Sequence, residues 1–250
     1  DSHPTIAFDR ATSRYLIVWT TARNAIFSTF GSGGKTTTDF GSGNDLAYAL
    51  TVLDSGKILA GGYAYNGTDD DFALARYDAD GTLDTSFGSG GKTTTDFGSG
   101  FDAGLALTVL EGGKILVSGY AYNGSDYDFA LARYDADGTL DATFGSGGKT
   151  TTDFGSGNDV AYALTVLDSG KILAGGYAYN GTDNDFALAR YNSDGTLDTS
   201  FGSGGKMTTD FGSGNDVGLA LAVLEGGKIL VSGYAYNDSD YDFALARYDA

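Results

Sequence analysis

The chain has 250 residues, 41% hydrophobic and 13% aromatic, which is enough to bury the core of one large all-β domain. Glycine accounts for 40 residues beside one proline and no cysteine, which excludes disulfide frameworks and thiolate chemistry and indicates a protein dense in turns. Because 33 acidic residues outnumber 15 basic ones, the formal net charge is -18, and nucleic acids and anionic membrane surfaces are disfavoured as partners.

The first 45 residues differ from the rest of the chain but keep its order of segments. The segments PTIAFD, YLIVW and STFGSGGKTTTDF align without gaps with GGYAYN, FALAR and TSFGSGGKTTTDF one period later. We interpret residues 1–45 as a diverged partial repeat.

The chain opens with Asp1-Ser2-His3-Pro4 rather than Met, which indicates a processed chain and favours secretion. No apolar run is long enough to span a membrane, so no membrane insertion is expected.

The remainder of the chain is a tandem repeat. The phrase KIL begins at Lys57, Lys114, Lys171 and Lys228, and each copy lies 57 residues after the one before. A long, fixed period of this kind is typical of solenoids, propellers and other repeat arrays. We predict a single repeat domain over 1–250, with full repeats at 46–102, 103–159 and 160–216 and a partial last repeat at 217–250.

Each full repeat predicts four short strands and no helix. In the first copy they cover residues 46–53, 57–65, 71–78 and 92–97, separated by glycine-containing turns. Residues alternate between the two sides of a strand, so Phe72 and Leu74 share one face while Ala73 and Ala75 share the other. Both faces are apolar, one bulky and one small, which favours sheets stacked on both sides.

Stacked four-stranded antiparallel sheets predict an all-β fold of the β-propeller type. We expect about five blades when the diverged N-terminal repeat is counted. Two alternatives stay open: a four-bladed ring with an N-terminal extension, and an open repeat array. The threonine-rich fourth strand, KTTT, has the polar character of an outer edge.

The phrases GKIL(A/V)(G/S)GYAYNG and DFALARYDADGTLDTSFGSGGK resemble the delta-60 repeat family of bacterial secreted and surface proteins. The Arg-Tyr, Asp-Gly-x-Leu-Asp and Phe-Gly elements recur in order over nearly all of residues 35–250. The resemblance implies a propeller-like β architecture and an extracellular or cell-surface location. It implies no known catalytic activity.

The Asp-x-Asp-Gly turns are candidate calcium loops. Their carboxylates surround a glycine turn with hard oxygen ligands, although the spacing lacks the terminal bidentate Glu of an EF-hand. The alternative is a plain turn, in which Asp tolerates the geometry and Gly supplies positive φ. The candidate calcium ligands are Asp78, Asp80, Asp84, Asp135, Asp137, Asp141, Asp194 and Asp198, and Asn192 replaces the first aspartate in the third full copy.

A second set of candidates lies in the loop between the second and third strands. Each copy has an N-glycosylation acceptor pattern, Asn followed two residues later by Ser or Thr. The alternative is an Asx-type turn that needs the same residues for local hydrogen bonds. The candidate glycosylation sites are Asn66, Asn123, Asn180 and Asn237.

Arginine recurs in the apolar third strand, and we expect Arg76 and its equivalents to form structural ion pairs, with Asp71 and Asp96 as candidate partners.

Catalysis is disfavoured. His3 is the sole histidine, and near-identical repeats surround every carboxylate pair alike, whereas acid–base catalysis needs two carboxyl groups with different pKa values.

The sequence therefore predicts a non-enzymatic extracellular structural or adhesive module. Incomplete repeats at the two ends predict strand addition, either of one end to the other, which closes the ring, or to a neighbouring molecule, which gives an oligomer or fibre. The alternative is a ligand-binding propeller whose binding depends on calcium or on glycan, with surface glycans or proteins as partners.

Overall fold

The computed structural model describes the backbone of residues 6–9 and 14–17, and residues 30–98 and 100–249 with their side chains. The predictions that concern His3, and most of the diverged partial repeat, lie outside the described residues.

The chain folds into consecutive antiparallel sheets. A two-stranded sheet contains β1 (Ile6–Asp9) and β2 (Arg14–Ile17). The first sheet contains β3 (Asp45–Val52), β4 (Ile58–Tyr65), β5 (Asp70–Tyr77) and β6 (Lys92–Thr95); the second contains β7 (Ala103–Val109), β8 (Ile115–Tyr122), β9 (Tyr127–Tyr134) and β10 (Lys149–Thr152). The third contains β11 (Asp159–Val166), β12 (Ile172–Tyr179), β13 (Asn184–Tyr191) and β14 (Lys206–Thr209), and the last contains β15 (Val217–Val223), β16 (Ile229–Tyr236) and β17 (Tyr241–Tyr248).

Strand order within each sheet follows chain order, so every sheet is a simple meander. The predicted all-β architecture of four-stranded antiparallel blades is thus confirmed, and the predicted strand ends agree with the observed ones to within two residues. The single helical element in the described part of the chain is a 3-10 turn at Glu111–Gly113. Among the described residues, no helix has the length and apolar character that crossing a membrane requires.

Neighbouring sheets stack with a bulky face against a small one. One core cluster combines Phe72 and Leu74 of the first sheet with Ala130 and Ala132 of the second. The next cluster repeats the arrangement: Phe129 and Leu131 of the second sheet pack with small residues of the third sheet, Ala174, Ala187 and Ala189 among them. Large side chains on one face fill the space that small side chains leave on the other, as the sequence predicted. We call the contact between two consecutive sheets a junction.

The first strand of each of the four larger sheets carries a β-bulge, which shifts the register between Ala47 and Ala49 in the first sheet and at the equivalent positions in the others. The bulge brings the backbone very close to the second strand. A Cβ atom added at Gly62 would lie 1.7 Å from the carbonyl oxygen of Leu46. Only glycine fits at this position, which explains why the second strands of the four larger sheets all have a glycine there.

A buried hydroxyl bond links the outer strand of one sheet to the third strand of the next. The Tyr134 hydroxyl donates to Thr95 Oγ1 at 2.8 Å, and Tyr191 donates to Thr152 Oγ1 at 2.8 Å. Burial raises the pKa of both phenols, so both stay protonated. The polar outer strand is therefore tied into the junction as well as to its own sheet.

Replacing Tyr134 with Phe should destabilise the protein by about 1–2 kcal/mol, because the buried Thr95 hydroxyl loses its partner. The measurement is the free energy of unfolding from urea denaturation. Tyr241→Phe is the matched control, since its ring is 56% exposed and removal of its hydroxyl should change little. Equal stability of Y134F and the unsubstituted protein would contradict the assigned role of this hydroxyl bond.

Candidate functional site

The aspartates of the Asp-x-Asp-Gly turn contact nearby side chains and backbone groups, and Lys57 Nζ lies 2.8 Å from both Asp78 Oδ1 and Asp84 Oδ2. Asp84 is buried, and its Oδ2 accepts from Arg76 Nε at 2.6 Å while its Oδ1 accepts from the hydroxyl of Ser86. Asp78 Oδ1 accepts from Lys57 Nζ at 2.8 Å. Asp80 Oδ1 accepts from the backbone and hydroxyl groups of Thr82. The three carboxylates thus serve the turn and its ion pairs, and calcium binding by this turn stays a prediction.

Arg76 forms the structural ion pair that the sequence predicted, but its partner is Asp84 rather than Asp71 or Asp96. The same pair joins Arg133 to Asp141 and Arg190 to Asp198, each at 2.7 Å. The acid lies only eight residues after the arginine, where the chain returns beside the third strand. Each guanidinium also lies over a phenylalanine ring, 4.7 Å from its centroid at Arg76 and Phe87.

The turn and the Phe-Gly-Ser-Gly-Gly loop meet across each junction. The Gly88 amide donates to the carbonyl of Asp137 in the next sheet at 2.7 Å, and Gly145 donates to Asp194 in the same way. The Arg76 guanidinium also reaches the Ala136 carbonyl of the next sheet at 2.5 Å. These motifs therefore hold successive sheets together.

The candidate glycosylation sites lie in Asx turns. Asn66 Oδ1 accepts from the backbone amides of Thr68 and Asp69, while its Nδ2 donates to carboxylates of Asp69 at 2.6 Å and Asp71 at 3.0 Å. Asn123 and Asn180 repeat all four contacts. At Asn237 the Nδ2 donates to Asp242. Glycosylation of these asparagines stays a prediction, and it would replace one N–H of an Nδ2 that is hydrogen-bonded here.

Three aspartates converge at each of the three junctions that join the first, second, third and last sheets. In the first such group, Asp71 is the second residue of the third strand, Asp96 follows the outer strand, and Asp102 precedes the first strand of the next sheet. One carboxylate oxygen from each lies within 4.8 Å of the others. The equivalent groups are Asp128, Asp153 and Asp159, and Asp185, Asp210 and Asp216. We call these groups the aspartate triads.

The environment of the triads disfavours negative charge. Burial, with the charges of Asp71 and Asp96 adding to it, raises the pKa of Asp102 to about 7. Burial likewise raises the pKa of Asp159 to about 7. The pKa of Asp71 is also raised by burial, against the opposing effect of its hydrogen bond from Asn66.

Sequence reasoning missed the triads as groups, although it singled out Asp71 and Asp96 as arginine partners. The members are separated by up to 31 residues, and they belong to two sheets whose stacking brings them together. The available signal was the recurrence of all three aspartates at every full period.

The last sheet presents its bulky face to solvent. Phe243 is 98% exposed and Leu245 is 65% exposed, whereas the equivalent Phe186 and Leu188 are each 1% exposed. At the opposite end, the small face of the first sheet lines a cavity of about 270 Å³ whose walls include Ala60, Ala73, Ala75, Tyr77, Thr36 and Thr38. Within the described residues, the last sheet and the first four-stranded sheet therefore carry complementary faces, and β1 of the two-stranded sheet contacts β3.

The edge of the last sheet and residues 35–38 near the first sheet are complementary in the same way. In the first three sheets a KTTT or KMTT strand pairs with the third strand, but β17 has no such neighbour among the described residues. Residues 35–38 have the same sequence, KTTT, and do not belong to a strand. They nevertheless sit where an outer strand would, because Thr38 Oγ1 lies 2.7 Å from the Tyr77 hydroxyl, as Thr95 does from Tyr134.

Asp141→Asn should destabilise the protein by about 3 kcal/mol, because the buried Arg133 loses its charged partner. Thermal and urea unfolding measure the loss. Asp137→Asn is the matched control, since that exposed carboxylate accepts only from Thr139 and its removal leaves no buried cation unpaired. Similar stabilities of D141N and D137N would contradict the role assigned to the ion pair.

The same ion pair predicts a loss of stability in acid. Burial acts to raise the pKa of Asp141, but hydrogen bonds from Lys114, Thr143 and Arg133 outweigh it and hold the pKa well below its usual range. The stabilisation is complete above the unfolded-state pKa of about 3.9 and is lost as pH falls further, because the unfolded chain then binds the proton first.

Urea unfolding of the unsubstituted protein and of D141N between pH 6 and pH 2 tests this dependence. The difference in stability between them should be constant above pH ~4.5 and shrink below pH ~3.5. A difference independent of pH would contradict it.

A comparison with protein families agrees with the fold. A family model described as "Domain of unknown function (DUF5122) beta-propeller" matches residues 54–87, 113–144, 168–201 and 227–250. A structural comparison finds an endo-arabinase from Bacteroides thetaiotaomicron VPI-5482 that is 14% identical, with a TM-score of 0.46 over 99% of this chain and 93% of that chain. No curated protein matches the sequence.

The matched segments recur once per repeat, and each spans the second and third strands with the turns that join them. Together with the stacked meander sheets, they support a β-propeller repeat family for this chain.

Proposed function

We propose that the protein is a non-enzymatic structural repeat module that assembles head to tail, the last sheet of one copy docking on the first sheet of another. We further propose that its repeats are of the delta-60 type and that it works outside the cell or on the cell surface. The ordered recurrence of the Arg-Tyr, Asp-Gly-x-Leu-Asp and Phe-Gly elements supports both points.

The observation that carries the proposal is the exposed bulky face of the last sheet. Full burial of a phenylalanine or leucine side chain contributes about 1.5–3 kcal/mol, and internal junctions bury both kinds of residue completely. Phe243 and Leu245 forgo this stabilisation in the isolated chain. An apolar surface of this kind is stabilised when another surface packs against it. At the internal junctions the surface that packs against it is a sheet face of alanine and glycine.

A second copy of this chain offers that face together with the missing outer strand. The cavity on the first sheet is lined by Ala60, Ala73 and Ala75, the positions against which a bulky face packs at internal junctions. Residues 35–38 are held at its edge by the bond between Thr38 and Tyr77. Docking would pair them with the free edge of β17, as β6 pairs with β5.

The assembly is head to tail, because the two surfaces that meet are different. Such an interface closes into a ring when its rotation allows and otherwise extends into a filament. The net charge of -18 opposes association through mutual repulsion of the copies. We therefore expect assembly to strengthen as salt screens this repulsion.

The absence of catalysis is part of the proposal. The strongly shifted carboxyl groups recur in equivalent surroundings, and burial raises the pKa of Asp102 and Asp159 alike to about 7. Acid–base catalysis uses two groups whose surroundings push their pKa values apart. Raised and lowered pKa values do occur, at Asp102 and Asp141, but Lys114 and Arg133 engage the Asp141 carboxylate in ion pairs, which supports a structural role.

Analytical ultracentrifugation of the full chain over a wide concentration range tests the assembly. The weight-average mass should rise with concentration and rise further at higher salt. Phe243→Asp should weaken association at least about tenfold, because it places a charge in the buried junction. Pairing of residues 35–38 is tested separately by the double variant Thr36→Pro, Thr37→Pro, which removes strand amide donors and should also weaken association.

Phe101→Asp is the matched control, because Phe101 is an exposed phenylalanine outside the last sheet and its loss should not affect assembly. A chain that stays monomeric at every concentration and salt tested would overturn the proposal and would indicate that the exposed faces are satisfied within one molecule. Association that F243D leaves unchanged would also overturn it.

A further inference from the structure

We propose that each aspartate triad binds a calcium ion at the junction between two sheets. The sites are formed by Asp71, Asp96 and Asp102, by Asp128, Asp153 and Asp159, and by Asp185, Asp210 and Asp216. This inference is independent of head-to-tail assembly, and it places calcium at residues other than those of the Asp-x-Asp-Gly turn.

The geometry brings the three ligands of each site from different parts of two sheets. In the first site one acid is the second residue of β5, one follows β6 and one precedes β7, and one oxygen from each lies within 4.8 Å of the others. Three carboxylate oxygens at these separations can coordinate one ion, since Ca–O distances are about 2.3–2.6 Å. An ion there would join the third and outer strands of one sheet to the first strand of the next.

A buried oxygen without a partner points to a missing ligand. Asp71 is only 5% exposed; its Oδ2 accepts from Asn66 Nδ2 at 3.0 Å, but its Oδ1 is buried and has no hydrogen-bond partner. Asp128 and Asp185, at 5% and 6% exposure, repeat the same unpartnered Oδ1. Buried polar atoms are almost always satisfied, so three equivalent exceptions at three equivalent sites call for one explanation.

Side chains of the described residues do not supply the compensating charge. No salt bridge joins a lysine or arginine to any triad carboxylate in residues 30–98 and 100–249. The nearby Lys149 donates to the backbone carbonyl of Asp96 at 2.6 Å instead. The carboxylates of Asp96 and Asp102 therefore repel the buried carboxylate of Asp71, and a bound divalent cation would offset this repulsion.

The donor set suits calcium. Carboxylate oxygens are hard ligands that favour calcium, magnesium or manganese over zinc or copper, and calcium tolerates irregular geometry and completes its shell with water. Asp102 is already oriented for the role, because its Oδ2 accepts from the Phe97 amide at 2.7 Å and its Oδ1 from the Tyr122 amide at 3.1 Å. Such backbone contacts fix the direction of a ligating carboxylate.

The sequence also marks a junction at which we expect no ion. One period before the first triad, Asp39 and Asp45 keep the second and third acids, but Arg14 stands in place of Asp71. A guanidinium at that position would repel a cation. We therefore expect three calcium ions per chain.

Isothermal titration of the full, chelator-treated chain with calcium chloride tests the inference, with thermal melting in parallel. We expect three ions to bind and the melting temperature to rise with calcium concentration. The triple variant Asp71→Asn, Asp128→Asn, Asp185→Asn should bind none and lose the calcium-dependent shift, while Asp71→Asn alone should bind two. Asparagine keeps an oxygen for the hydrogen bond from Asn66 and relieves repulsion, so these variants should melt no lower than the unsubstituted protein when calcium is absent.

The matched control is Asp80→Asn, Asp137→Asn, Asp194→Asn, which removes the same charge from the Asp-x-Asp-Gly turns and should still bind three ions. No calcium bound up to millimolar concentration, or an undiminished number bound by the triad variants, would overturn the inference. Loss of binding in the turn control alone would place calcium in the turns and would overturn it as well.

Discussion

The structure depends on one packing constraint, the fit of a bulky sheet face against a small one. Phe129 and Leu131 need a partner surface that approaches closely, and alanine with glycine supplies it. Gly175 shows how tight the fit is, since a Cβ atom there would lie 2.8 Å from a side-chain carbon of Leu221 in the next sheet. Because each sheet carries one face of each kind, every sheet needs a neighbour on both sides, and the exposed face of the last sheet follows from the same rule.

Polar contacts then fix how the packed sheets are oriented. The Arg133–Asp141 pair shapes the turn after the third strand, and the turn presents its carbonyl groups to the glycine loop of the sheet before it. Asp-Gly turns and the Phe-Gly-Ser-Gly-Gly run are therefore repeated because they form the outer half of each junction. The aspartate triads lie elsewhere in the junction, where the outer strand of one sheet passes into the first strand of the next.

Much of the fold was predictable because its signals are local. Alternation in DFALARY gave the bulky and small faces of β5, and glycine turns set the strand ends. The sequence predicted that Arg76 forms an ion pair, but it did not identify Asp84 as the partner. Asp84 faces Arg76 only because the turn brings the chain back beside the strand that contains Arg76. The triads were not predictable as groups, because the approach of Asp102 to Asp71 depends on how two sheets stack. Period-by-period recurrence marks such residues without showing which of them meet.

The most direct test of the junction is amide hydrogen exchange at Gly88 and Gly145. Both residues are exposed, yet each donates its N–H across a junction at 2.7 Å. If the glycine loops hold successive sheets together, these two amides should exchange as slowly as those in the strands of the second sheet. If the Gly88 and Gly145 amides exchange as fast as the amide of the exposed Gly90, which lies in the same loop as Gly88, the result would contradict the account.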